Sequence, residues 1–225
     1  MGANNLYLEI SAMNGDIETV RKLVKAGADI NTKDGVILRE AIHQNNLPLV
    51  KEFVELGATI NMPYNGQWGY NQGLAASLGH TEIFDYLLDN GAHSHLFATS
   101  AAVQTGHTDI LKSLTARGLP LDFQDNDLTD ALGAGHIDTV LYIAQHGSEF
   151  TQLTTLSYLD YTGHEGTLKQ FIKETDYTPS PAVQEALKKV DMDYLLQAIE
   201  QRELNKKLTA TMTPKQSQKI KVMKI

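Results

Sequence analysis

A helix carrying its own stop signal recurs along this chain, and that recurrence constrains the fold more than any single residue. In GDIETVRKLVKAGADIN, residues 15–31, Val20, Leu23 and Val24 share one helical face, and Gly27 ends the helix. The register returns as Val50, Phe53, Val54 and Gly57, then as Phe84, Leu87, Leu88 and Gly91. Leu111, Leu114 and Gly118 repeat it, as do Val140, Ile143 and Gly147. Two worn copies follow, at Leu168, Phe171 and Ile172 and at Leu195, Ala198 and Ile199. Such periodicity implies a stack in which each unit hides its apolar face only against its neighbours.

The words inside these units resemble ankyrin repeats. GHTEIFDYLLDNGA at 79–92 and the stretch at 15–31 are similar to the second half of such a repeat, and LAASLGH at 74–80 to the end of its first helix. The resemblance covers residues 5–174 well and 175–204 poorly, and no unit carries the family's TPLH tetrapeptide. It implies an all-α ankyrin-repeat solenoid of about six to seven stacked helix-turn-helix units. The units fall at about 4–31, 35–61, 62–92, 95–119, 125–148 and 152–174, with a degenerate capping unit at 181–204 after Pro179 and Pro181. The exposed end of the first unit should be more polar than an internal face, because it meets water.

Charge is divided unevenly. The net charge is −8, yet residues 205–225 hold six lysines and no acid, leaving 13 basic against 27 acidic side chains before them. An acidic body does not favour nucleic acid, whose binding rests on neutralising phosphates. The tail reads as basic and flexible, able to contact an anionic partner. Apolar runs are far shorter than the roughly 20 residues of a membrane span, and MGANNLYLEI lacks the charged start and apolar core of a secretion signal. The expectation is a cytoplasmic chain, delivered into a host cell if it is an effector. Oligomeric state is open, with a monomer favoured.

Candidate chemistry is thin. His80, His107, His136 and His164 each follow a glycine that opens the second helix, and in the family this histidine belongs to the inter-helix turn and bonds neighbouring backbone. His93 and His95 lack a third ligand, so no metal is assigned. There is no cysteine, and no Walker loop, HExxH, GxSxG or Rossmann fingerprint. No cofactor is expected and the chain reads as a non-enzyme. The acidic entry to the fifth unit, DFQDND at 122–127, reads as a helix start capped by Asn126 or Asp127.

What remains is a surface. The connection at 61–70 is the longest in the chain and carries Tyr64, Trp68 and Tyr70, where the family places its β-hairpin finger. Ankyrin arrays usually bind proteins through fingers and the exposed ends of first helices, on the concave face. Carried onto this chain, that frame selects Met13, His43, Gln44, Leu78, Gln104 and Tyr161 beside the three aromatics. The resulting reading is a protein-protein interaction module of unidentified partner, similar in style to bacterial or viral effector ankyrin proteins. The alternatives are an inhibitor or immunity protein occluding a basic enzyme site, and an enzyme using the groove.

Overall fold

The computed structural model describes residues 2–63, 69–93, 95–121 and 123–211. These form fourteen α-helices and no strand among the described residues, in two compact units, Met1–Tyr142 and Ile143–Ile225.

In the first unit, α1 (Gly2–Met13), α3 (Thr32–His43), α5 (Tyr70–Ser77), α7 (His95–Thr105) and α9 (Asp125–Gly133) pack successively in one row. The alternate helices α2 (Ile17–Lys25), α4 (Leu47–Glu55), α6 (Thr81–Asp89) and α8 (Thr108–Ala116) form a second row, and the unit closes within α10 (Ile137–His146). The apolar register read from the sequence is the core: Val20, Val50, Phe53, Phe84, Leu87, Leu111 and Leu114 are all buried. Polar links tie the second row together. Arg21 grips Glu52 with two bonds of 2.7 Å, and Arg117 reaches Asp85 at 2.9 Å and Asp89 at 3.2 Å.

The stop signals work through backbone geometry. Gly27 adopts φ +89, which lets its N–H reach the Val24 carbonyl and the next N–H, of Ala28, reach that of Leu23. These are the orphan carbonyls at a helix end. Helix starts are capped by Asp16 and Asn46, whose side chains each accept a backbone N–H three residues on. Turns of successive repeats are stitched by asparagines. Asn31 donates to the Gly57 carbonyl and accepts from the Thr59 N–H, and Asn61 does the same with Gly91 and His93.

The histidines reach between repeats. The His107 ring lies against Gly79, 2.5 Å from where a Cβ would stand, and its Nε2 donates to the Ser77 carbonyl at 3.1 Å. His136 packs on Gly106 in the same way. A glycine is needed there because the next repeat's imidazole fills the space of a side chain.

Several expectations are corrected. The end face on α1 is apolar: Leu6, Ile10 and Met13, at helical spacing, and Tyr7 are all exposed. Near the start of α3, Lys33, Asp34 and Gly35 form a left-handed turn, all three at positive φ. Arg39 offsets that strain by donating to the Lys33 and Asp34 carbonyls. The N-cap of α9 is Gln124 and neither Asn126 nor Asp127; Asp127 reaches back from the first turn to accept the Gln124 N–H at 2.8 Å.

The second unit packs α11 (Glu149–Tyr161) with α12 (Glu165–Glu174) and α13 (Pro181–Lys189), and α14 (Asp193–Thr211) with α12 and α13. Here α12 lacks the terminal glycine, and Thr175 takes an extended conformation instead. Arg202 supplies the missing termination. Its guanidinium, 6% exposed, donates to the carbonyls of Ile172, Thr175 and Tyr177 and to the Thr178 hydroxyl. The helix expected to end at Leu204 runs on to Thr211, because Lys206 finds Asp176 at 2.5 Å and Glu203 at 3.3 Å. The rest of the lysine tail, 212–225, lies outside the described residues.

Candidate functional site

Two successive first-row helices in the first unit carry the same pattern in register. Gly79 and Gly106 are 27 residues apart, and the same offset maps Tyr70, Gly73, Leu74 and Ser77 of α5 onto Phe97, Ser100, Ala101 and Gln104 of α7. On each helix these positions follow the spacing i, i+3, i+4, i+7, so they share one face. The two helices pack closely, with Phe97 resting on Gly73, and the small residues beside that contact leave the shared face hollow. Between them and the start of α9 opens a cleft of about 550 Å³.

The aromatic position sets one wall. Phe97 is wedged against Gly73: a Cβ there would stand 2.1 Å and 2.2 Å from two neighbouring ring carbons. Only a glycine lets the ring approach so closely, and the ring is therefore half-buried rather than free. Tyr70, also half-buried, lines the cleft beside it. Ser77, Ser100, Ala101 and Thr105 keep the floor low, and α9 closes the far side with Gln124, Asn126 and Asp127.

Asp127 is the charged element of this wall, and it is 2% exposed. One carboxylate oxygen accepts the Gln104 side-chain amide at 2.8 Å, and the other accepts the Gln124 backbone N–H at 2.8 Å. The Gln104 amide also points to Asp130, an exposed carboxylate, at 3.5 Å. Among the described residues neither acid has an ion-pair partner within 4.0 Å. Equivalent positions explain the contrast. Asn71 and the buried Ala98 stand on α5 and α7 where α9 has Asp127.

The candidates selected from sequence divide into groups. Tyr70 and Gln104 meet in the cleft. Leu78 sits half-buried at the end of α5 beside it. Met13, His43 and Gln44 are exposed at the ends of α1 and α3, with the Gln44 amide bonded to Glu40. Tyr161 ends α11 of the second unit and is 87% exposed. Tyr64 and Trp68, with the finger expected around them, lie outside the described residues. Phe97, Ser100 and Asp127 were not selected, because the family frame singled out only the last residues of each first helix. The signal that finds them is the 27-residue register itself.

Among the described residues no three His, Asp or Glu side chains are grouped to hold a metal ion, and no helix is long and apolar enough to cross a membrane.

Paired helices repeated in register, with an open face on one row, define the class of helical repeat proteins. Residues 8–97 match the family model described as ankyrin repeats, in three copies. That stretch is similar to ankyrin repeats, which are in general protein-binding modules. A comparison with curated proteins gives no match.

Proposed function

We propose that the protein binds a partner protein through the first-row face of its first unit, centred on the cleft between α5, α7 and α9. The observation that carries this reading is an aromatic-walled cleft of about 550 Å³ on the row of helices that ankyrin repeats generally leave open for partners. Aromatic side chains held by packing lose little entropy on binding and dominate interface energetics.

The partner's surface is basic. Between Leu56 and Tyr142 the chain has nine acids, and its only lysine and arginine are Lys112 and Arg117. Asp109 engages the first, Asp85 and Asp89 the second. Association should therefore slow as salt rises, since steering between exposed charges fades over a Debye length.

The test is capture of binding proteins by the wild-type chain beside Ser100→Arg, which fills the cleft, and Lys22→Ala, on the exposed side of α2. A partner lost with Ser100→Arg and kept with Lys22→Ala supports the reading. A partner kept by Ser100→Arg, but lost from a chain ending at Thr211, moves recognition to the lysine tail and refutes it.

A further inference from the structure

The cleft has the chemistry of a receptor for one type of side chain. Resting on the protein-binding reading above, we propose that it takes an arginine of the partner. The guanidinium would lie against the Phe97 and Tyr70 rings with its donors turned to Asp127 and Asp130.

Three independent features converge on that choice. The first is space: about 550 Å³ lies within the roughly 300–1,000 Å³ typical of ligand pockets, and it admits a long side chain with the backbone that carries it. The second is the acid. Asp127 is fixed by two N–H donors, yet a carboxylate offers about four acceptor sites, so bonds remain to be made. Both donors are neutral, so the negative charge is oriented and uncompensated by a cation among the described residues. A buried charge of that kind gains most from an arriving opposite charge.

The third feature is the aromatic wall. Phe97 is held in place against Gly73, and its ring lines the cleft beside Tyr70. A planar guanidinium stacks on such a ring while bonding a carboxylate in its own plane, which the compact ammonium of lysine cannot do. Among the described residues no cation pairs with Asp127 or Asp130 within 4.0 Å. The only lysine and arginine from Leu56 to Tyr142 are already engaged by other acids.

The experiment selects random dodecapeptides on the full chain at about 150 mM salt, where long-range charge attraction is largely screened. Selected peptides are then synthesised with each arginine in turn replaced by citrulline, which is nearly isosteric and neutral, or by lysine. Binding is measured on the wild-type chain, Ser100→Arg, Asp130→Asn and Phe97→Leu, each first shown to keep its helical circular dichroism and melting temperature. The expected result is a shared arginine whose change to citrulline weakens binding by about tenfold or more, the size of one charge-assisted contact. Lysine should fall between. Asp130→Asn and Phe97→Leu should each reduce the preference for arginine over citrulline.

Peptides displaced by Ser100→Arg but indifferent to citrulline would overturn the arginine inference and leave the binding face in place. Peptides indifferent to Ser100→Arg would overturn both.

Discussion

Gly73→Ala is a sharp test of how the cleft is built. Alanine is better than glycine in a helix interior by about 1 kcal/mol, so on propensity alone the substitution should stabilise α5. Here the new methyl would stand 2.1 Å from a Phe97 ring carbon, well inside contact distance, and either the ring or the helix must move. Overpacking of this kind costs about 1–3 kcal/mol. The clash wins: the net expectation is a loss of about 1 kcal/mol, with the ring tilted into the cleft. Gly133→Ala, on the exposed end of α9 with nothing within 4 Å of its added Cβ, serves as the control. It should be neutral or gain up to about 1 kcal/mol. Removing the ring separates the two terms. On a Phe97→Ala background, Gly73→Ala should change sign and stabilise, because only the propensity gain remains. Urea denaturation followed by far-UV circular dichroism on the four chains of the cycle reads both effects. If Gly73→Ala stabilises the wild-type chain as much as it does the Phe97→Ala chain, the ring does not rest on Gly73 and the wall of the cleft is wrongly assigned.

Three further outcomes follow from the packing. Arg202→Met should destabilise the second unit by about 3–5 kcal/mol in thermal or urea unfolding, since it strands buried carbonyls at the end of α12; a loss under about 1 kcal/mol would contradict the terminating role. Asn61→Ala should cost about 1–2 kcal/mol through its two inter-repeat bonds, and amide exchange should quicken at His93. Burial holds the Tyr177 and Tyr194 phenols neutral well above their ordinary value near 10. With the folded value raised, their contribution is complete below pH 10 and is lost as pH climbs beyond it. An absorbance titration should therefore show a late tyrosine class that coincides with alkaline unfolding, and Tyr177→Phe should shrink it.

The second-row helices were legible from sequence because one residue pattern serves one purpose there. Val50, Phe53, Phe84 and Leu87 are apolar, helically spaced and followed by glycine, and the only place for them is the core. The first-row helices were harder. Tyr70 and Phe97 fit a core stripe as well as they fit a groove, and what decides between them is that Gly73, Ser100 and Ala101 are too small to fill the gap. That is a property of two helices together. Arg202 stands in the polar run EQRELNKK and reads as solvated surface, although the glycine missing at Thr175, 27 residues earlier, creates the carbonyls it serves. Asp127 was read, with Asn126, as a candidate cap, whereas it stands in the first turn and bonds back to the N-cap Gln124. Its second bond, from Gln104, joins residues 23 apart in the chain. The apolar end face of α1 ran against the rule that a terminal repeat presents a polar surface.

The central claim is that the first-row face of the first unit meets a partner, and photo-cross-linking from single sites tests it most directly. The chain has no cysteine, so Ser100→Cys in the cleft and Lys22→Cys on the exposed side of α2 can each carry one photoreactive label. The account predicts a discrete adduct with one protein from position 100, competed by unlabelled wild-type chain, and none from position 22. The same adduct from position 22 and none from position 100 would contradict it.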